Sequence, residues 1–289
     1  MNPKKTIRKI LFITLWVILG GGMLTLLIAA IGRQKKNACR DYVITIKGVE
    51  KEGLFLTKQD VADAVKSETN GKIKGRPKAD FNLLKIENRL KKNDWVKNAE
   101  VYFDNKDLLH IRVIQREPVA RVFTTGGRSF YLDEEDHMLK LSEKKTVRVP
   151  VFTGFPDKKI KTARDSALLQ DVRKTAMLIQ LHSFWSSMVA QVDLVPAGTE
   201  NWEFDMVPVI GNHLVKLGNG EDMASKLNRL LVFYQQVLSR TGFDKYETVD
   251  VRFAGQVIGR KPEKSRQDSI QRVKKTELLI REAGAGNQD

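Results

Sequence analysis

The chain has 289 residues, of which 42% are hydrophobic and 29% charged, with a formal net charge of +15 and one cysteine. That is enough apolar material for one or two folded domains, and the lone cysteine excludes an internal disulfide framework. The basic excess does not point to nucleic acid: residues 1–40 hold eight basic and no acidic side chains, whereas the body between residues 41 and 259 holds 34 basic and 30 acidic ones, so the cations hug an apolar segment beside which anionic headgroups would attract them.

That segment, residues 10–31, contains no charged side chain. As a helix rising about 1.5 Å per residue it would cover roughly 30 Å, the thickness of a hydrocarbon core. It is longer than the apolar part of a cleaved signal peptide, and it runs into Gly32-Arg33-Gln34-Lys35-Lys36, which offers a stop rather than a cleavage site. Cys39 lacks the preceding apolar residues of a lipidated cysteine. A buried core helix is disfavoured because no face of the run is polar. Gly20, Gly21 and Gly22 are tolerated in membrane helices. Residues 10–31 are therefore expected to form a transmembrane anchor behind a short tail, residues 1–9. Lys4, Lys5, Arg8 and Lys9 before it balance Arg33, Lys35, Lys36 and Arg40 after it, so the positive-inside rule leaves orientation undecided.

Beyond the anchor, residues 41–49 alternate as a strand. Thr57 and Asp60 have capping-box spacing and open a helix with Val61, Ala64 and Val65 on its apolar face. Residues 70–78 read as a Gly-, Lys- and Pro-rich loop. A second helix starts near Asn82, with Leu83, Ile86 and Leu90 on one side. Trp95, expected to be a core anchor, leads into a strand over Glu100–Phe103. Asp104-Asn105-Lys106-Asp107 makes a turn, and Leu109, Ile111 and Val113 alternate in another strand. The unit reads β-α-α-β-β.

Pro118 marks a boundary. Short strands are predicted at Val119–Thr124, Phe130–Leu132 and Met138–Leu141, then a long helix from Ala167 to Ser183 with Leu168, Val172, Ala176, Ile179 and Phe184. Strands follow near Val189–Val195, Trp202–Met206 and His213–Leu217. A helix opening at Glu221 carries Met223, Leu227, Leu230, Leu231, Tyr234 and Leu238. Two last strands, Thr248–Phe253 and Gln256–Arg260, close a mostly antiparallel sheet carrying two helices. The tail, residues 261–289, is charged, with Ile270, Val273, Leu278 and Leu279 at amphipathic spacing; it is expected to be largely disordered, or helical only when bound.

No catalytic constellation stands out. His110, His137, His182 and His213 are far apart and share no metal spacing with a carboxylate or cysteine. Gly218-Asn219-Gly220 is a turn signal rather than a phosphate cradle. No catalytic, cofactor-binding or metal-binding residue is assigned, and neither a nucleic acid nor a small-molecule substrate is expected.

In order along the chain, several motifs resemble a known family. Asp94-Trp95-Val96-Lys97-Asn98-Ala99-Glu100-Val101 resembles P-W-V-x-x-A-x-V. Leu109–Val113 with Arg116-Glu117-Pro118-Val119-Ala120 resembles an L-x-I-x-V strand and an E-R-x-P-V-A junction. Phe130-Tyr131-Leu132-Asp133 before Met138, Val149-Pro150 through Gly154, Val215-Lys216-Leu217-Gly218 ahead of Lys226-Leu227, and Val249–Phe253 complete the set. Together they resemble the bacterial division proteins of the FtsQ/DivIB family. The resemblance implies an α+β protein: one N-terminal transmembrane helix, a POTRA-type domain over residues 41–116, and an FtsQ-type β domain over residues 117–260.

The resemblance further implies a non-enzymatic, single-pass inner-membrane scaffold of the cell-division septum, with residues 1–9 cytoplasmic and the body outside. Its partners would be FtsB-like and FtsL-like membrane-anchored coiled-coil proteins and other divisome components. Docking would proceed by strand addition at the last strands, because an exposed edge has unpaired backbone groups. The partner-binding residues so implied are Val251, Arg252, Phe253, Gly255, Gln256, Val257 and Ile258. Here the family's R-Y-x-x-G becomes Arg252-Phe253-Ala254-Gly255, one residue shorter and without the phenolic hydroxyl. The same stretch also reads simply as a closing strand. Two other classes are carried: a POTRA-type client-binding module of an outer-membrane assembly or secretion system, and a membrane-anchored enzyme with an unrecognised site.

Overall fold

A computed structural model describes residues 14–27, 38–48, 55–142, 145–157, 163–198 and 201–262. Residues 14–27 form helix α1, with every described side chain exposed. Among the described residues no helix is long and apolar enough to cross a membrane; the remainder of the apolar run at 10–31, and the tail from 263 onward, lie outside them.

The chain divides into two compact units, before and after the Arg116–Glu117 bond. In the first, strands β1 (Asp41–Lys47), β2 (Val96–Phe103) and β3 (Leu108–Gln115) form a sheet in the order β1-β3-β2. β1 runs parallel to β3, and β2 antiparallel to it. Helices α2 (Lys58–Glu68) and α3 (Leu83–Lys91) lie between β1 and β2 in the chain. The Thr57 amide donates to Asp60 Oδ2 at 2.9 Å while the Asp60 amide donates to Thr57 Oγ1 at 3.1 Å. That reciprocal box satisfies two donors which the first helical turn leaves open. Asn82 caps α3 through the Lys85 amide at 2.9 Å. Val61 and Val65 of α2 and Ile86 and Leu90 of α3 are buried, as are Leu109, Ile111 and Val113 of β3; Ala62, rather than Ala64, completes the inner face of α2. The edge strand β2 is blunted where its Val101 amide donates to Glu87 on α3 at 2.8 Å. Trp95 is buried and stacks on Phe55, with ring centroids 3.8 Å apart and planes 10° from parallel. Buried Gln115 Oε1 accepts from the Phe55 and Leu56 amides at 2.7 and 3.0 Å, so the same strand end secures the stacking residue's backbone.

The second unit is built on a nine-stranded sheet in the order β12-β11-β10-β9-β8-β7-β4-β5-β6. Its strands are β4 (Pro118–Thr124), β5 (Ser129–Asp133), β6 (Met138–Leu139), β7 (Val151–Phe155), β8 (Val189–Ala197), β9 (Asn201–Pro208), β10 (Leu214–Gly218), β11 (Thr248–Asp250) and β12 (Ile258–Arg260). The sheet is mostly antiparallel, as expected, but mixed: β4 with β5, β5 with β6, β8 with β9, β9 with β10 and β11 with β12 pair antiparallel, whereas β4 with β7, β7 with β8, and β10 with β11 pair in parallel. The reason lies in the connections. Helices α4 (Ala163–Leu181) and α5 (Ser183–Met188) carry the chain from β7 to β8, and α6 (Met223–Phe233) begins the return from β10 to β11. A helical crossover brings the chain back to the end of the sheet where it started, so the next strand runs the same way.

The expected single helix to Ser183 is interrupted at His182, whose backbone is extended. The later helix passes into a π segment at Tyr234–Leu238 and then α7 (Ser239–Thr241). Leu168, Val172, Ala176 and Ile179 of α4, Trp185 of α5, and Leu227 and Leu230 of α6 form one core with Phe152, Val192, Phe204, Met206, Val215 and Val249. Alternation along each strand places these on one sheet face.

Candidate functional site

The most constructed surface among the described residues is the sheet edge at β11 and β12. Thr248, Val249 and Asp250 oppose Arg260, Gly259 and Ile258 in antiparallel register, and among the described residues no strand pairs with the outer side of β12. The paired strands are shorter than expected: β11 ends at Asp250 and β12 begins only at Ile258. Between them Gly255 takes φ +74°, and the Gln256 amide donates to Phe253 O at 3.3 Å. A turn of this shape needs a left-handed residue, and glycine supplies it at little steric cost.

The seven proposed contact residues fall into two groups. Val251 is fully buried, its amide donating to Lys216 O at 3.1 Å, and Val257 packs partly against the core. Those two side chains hold the edge in place. Arg252, Phe253, Gly255, Gln256 and Ile258 reach solvent, with Phe253 51% and Ile258 46% exposed. An aromatic side chain from the turn and an aliphatic one from β12 are thus exposed at this edge.

Arg252 is fixed rather than free. Its guanidinium donates to Asp250 at 2.8 and 3.1 Å and to Glu203 on β9 at 3.2 Å. Burial alone would raise the Asp250 carboxyl, but these hydrogen bonds and the Arg252 amide hold it below its ordinary range. Hydrogen bonding to Asp250 in turn raises the Arg252 guanidinium further above its usual value. Gly218, at φ +72°, makes room: a Cβ there would lie 2.7 Å from Arg252 Cγ. Arg229 of α6 donates to the carbonyls of Val251 at 2.9 Å and Phe253 at 3.4 Å. Glu203, Gly218 and Arg229 were not legible as part of this site, because no local spacing joins them to Arg252.

A polar cleft of about 510 Å³ lies beside the edge, lined by Arg164, Asp171, Glu203, Lys226 and Arg252. Lys226 is buried and donates to Asn219 O and Oδ1 at 2.9 and 3.0 Å; desolvation lowers its pKa. This lysine therefore holds the Gly218–Gly220 turn.

His213 braces the chain just before β10. It is buried, with Nδ1 3.1 Å from Phe243 O and Nε2 2.6 Å from Tyr234 Oη. A carbonyl only accepts, so Nδ1 carries the proton and Nε2 accepts from the tyrosine hydroxyl in the neutral ring. Desolvation lowers the His213 pKa. The unfolded chain therefore takes up a proton near the ordinary histidine pKa of about 6.5, where the folded protein does not. Stability is expected to fall as pH drops through and below that value, by at most about 1.4 kcal/mol per pH unit. Thermal unfolding of wild type and His213→Gln from pH 8 to pH 5 tests this; an equally steep loss in the variant would assign the dependence to another group.

One expectation about histidines is corrected. Asp133, Glu135 and His137 bring their ligand atoms within 4.8 Å of one another on the β5–β6 hairpin, a proximity produced by the turn. Asp133 Oδ1 is already engaged there, accepting from the Glu135 and His137 amides at 2.8 Å each.

Comparison with known proteins matches each unit separately. Residues 117–260 match the family model described as FtsQ/DivIB, C-terminal related, and residues 37–114 match a POTRA-like domain model. The cell division protein FtsQ of Salinibacter ruber is 28% identical over 180 residues, covering 61% of this chain and 68% of that protein. The cell division protein FtsQ of Rhodothermus marinus is 27% identical over 186 residues, covering 63% of this chain and 66% of that protein.

Proposed function

We propose that this chain, which belongs to the FtsQ/DivIB family, is a non-catalytic scaffold of the bacterial division machinery that holds its partners by strand addition at β12. The observation that carries the reading is the outer side of β12, which no strand among the described residues pairs, with Phe253 and Ile258 exposed beside it. An added strand would supply hydrogen-bond partners for the outward backbone groups, and the two side chains would provide apolar anchors. Arg229 and the Arg252–Asp250–Glu203 group support this by fixing the approach to the edge before any partner arrives, which lowers the ordering cost of binding. The partners are FtsB-like and FtsL-like membrane-anchored coiled-coil proteins together with other divisome components.

The apolar run at 10–31 is the inner-membrane anchor, with residues 1–9 cytoplasmic and both units outside, gathered at the division site. The described part of that run supports the reading: α1 is helical and exposed at every described residue, as a lipid-facing helix would be when viewed without its bilayer. Residues 41–116 serve as the POTRA-type domain and 117–260 as the partner-binding domain. Among the described residues the sheet of the second unit is open, ending at β12 and β6, which favours an interaction scaffold over a module feeding a barrel.

The test is binding of an FtsB-like segment to the chain carrying Val257→Pro or Phe253→Ala. Proline removes a backbone donor and fixes φ. Ile258 pairs with Asp250 inside the β11–β12 ladder, whereas Val257 lies just outside it, so proline at 257 spares that pairing. Both variants are expected to keep the circular dichroism of the wild type while affinity drops at least tenfold, a loss of about 1.4 kcal/mol. Undiminished binding by a folded Val257→Pro protein would move the partner surface away from β12.

A further inference from the structure

We propose that the end of the first unit carrying Arg40, Lys72 and Lys74 docks on anionic lipid headgroups; the inference rests on the anchor assigned above. Its basis is the way the chain enters this unit. Ala38 forms an antiparallel bridge with Pro77. The Cys39 amide donates to Arg76 O at 2.7 Å, the Gly75 amide donates to Cys39 O at 2.7 Å, and the Arg40 amide donates to Asp107 O at 2.9 Å. Cys39 is fully buried. The lead-in segment is therefore sewn by its backbone to the loop 72–78 and the turn 104–107. Where residues 38–40 go, those loops go.

Only the residues from 32 to 37 separate that segment from the apolar run. Even fully extended, such a connection spans no more than about 25 Å. The connection itself carries Arg33, Lys35 and Lys36, which would draw it toward an anionic surface.

The loop has a matching charge. Residues 72–78 hold Lys72, Lys74, Arg76 and Lys78 and no acidic side chain. Two of these cations are turned to structural work: Arg76 donates to Thr69 O at 2.6 Å, and Lys78 pairs with Asp107. The other two lie outward. Lys74 pairs with Asp41 at 3.0 Å, but both side chains are well exposed, so water screens the pair and its lysine is readily shared. Arg40 and Lys72 are exposed and make no ion pair with a described residue. Three outward cations on one rim, held near a bilayer, suit phosphate-bearing headgroups. The attraction acts within a Debye length of about 8 Å at physiological salt. The docking would keep the first unit against the membrane rather than at the full reach of its connection.

The experiment uses the full chain in lipid nanodiscs of phosphatidylcholine, with or without phosphatidylglycerol. A fluorophore is placed by Ala79→Cys, an exposed position beside the loop. The native thiol does not compete, because Cys39 is buried and desolvation raises its pKa. Quenching by a headgroup nitroxide is expected to rise in discs containing phosphatidylglycerol. It should return to the phosphatidylcholine level in Arg40→Glu/Lys72→Glu, each cation being worth on the order of a fivefold change in contact. Leu19→Cys with an acyl-chain nitroxide reports the anchor separately. A quenched Leu19 label with an Ala79 signal indifferent to lipid charge or to the double variant overturns the docking alone. An unquenched Leu19 label overturns the anchor, and the docking with it.

Discussion

Trp95→Ala is expected to destabilise the first unit by about 3–5 kcal/mol, the usual cost of truncating a buried large aromatic. The ring is 7% exposed and stacked on Phe55 at 3.8 Å, so its removal loses the transfer free energy of the indole and leaves Phe55 facing a void. Phe55 cannot simply collapse into that void, because its amide and that of Leu56 are bound to buried Gln115. Urea unfolding of a soluble fragment spanning residues 38–262 should show the transition of the first unit moved to lower denaturant, with the second unit unchanged. A chain of this domain size loses roughly 4–8 °C of thermal midpoint per kcal/mol, so the shift should exceed 10 °C or so. An unchanged midpoint would mean that the stack contributes nothing to the fold and would free Trp95 to be a contact residue.

Gly154→Ala is expected to cost the second unit on the order of 3 kcal/mol. Two penalties combine. Gly154 sits at φ +74°, where an L side chain is strained by about 1–3 kcal/mol. A Cβ there would also lie 2.5 Å from Leu194 O. That neighbour is backbone, at the point where parallel β7 and β8 run side by side, so it cannot rotate away. The shift must be taken by the sheet itself, and overpacking of this kind adds a further penalty. Gly127→Ala is the control: φ is +82°, yet nothing lies within 4 Å of the added methyl. The difference between the two variants in denaturant midpoint isolates the backbone collision. Equal losses would show that β7 and β8 part easily.

Local chemistry was enough to reveal much of the fold. Thr57 with Asp60, and Asn82 ahead of Leu83, announced helices because a cap satisfies its own helix from a few residues away. Leu109, Ile111 and Val113 announced β3 because strand geometry sends alternate side chains to one face. The ordered motifs from Trp95 to Phe253 were sufficient to indicate the family, and Gln256–Arg260 pointed to the last strand.

Other features depend on groups that meet only after the chain has closed. Alternation looks the same in parallel and antiparallel strands, so the directions of β7, β8 and β11 waited on crossovers that fold back over the sheet. Phe55 belongs with Trp95, His213 with Tyr234 and Phe243, and Arg252 with Glu203, all across long chain separations. The same holds for exposure at the proposed site. Val251 and Phe253 are both apolar and two residues apart, yet one is buried and the other half in solvent, because Val251 is still bonded to Lys216 on β10 whereas Phe253 already opens the turn closed by Gln256. Covalent order and side-chain pattern determine which segments become strands and helices, since those are decided within a few residues. Strand direction, the long-range clamps and the open edge are set by tertiary packing, since each depends on where distant backbone comes to rest.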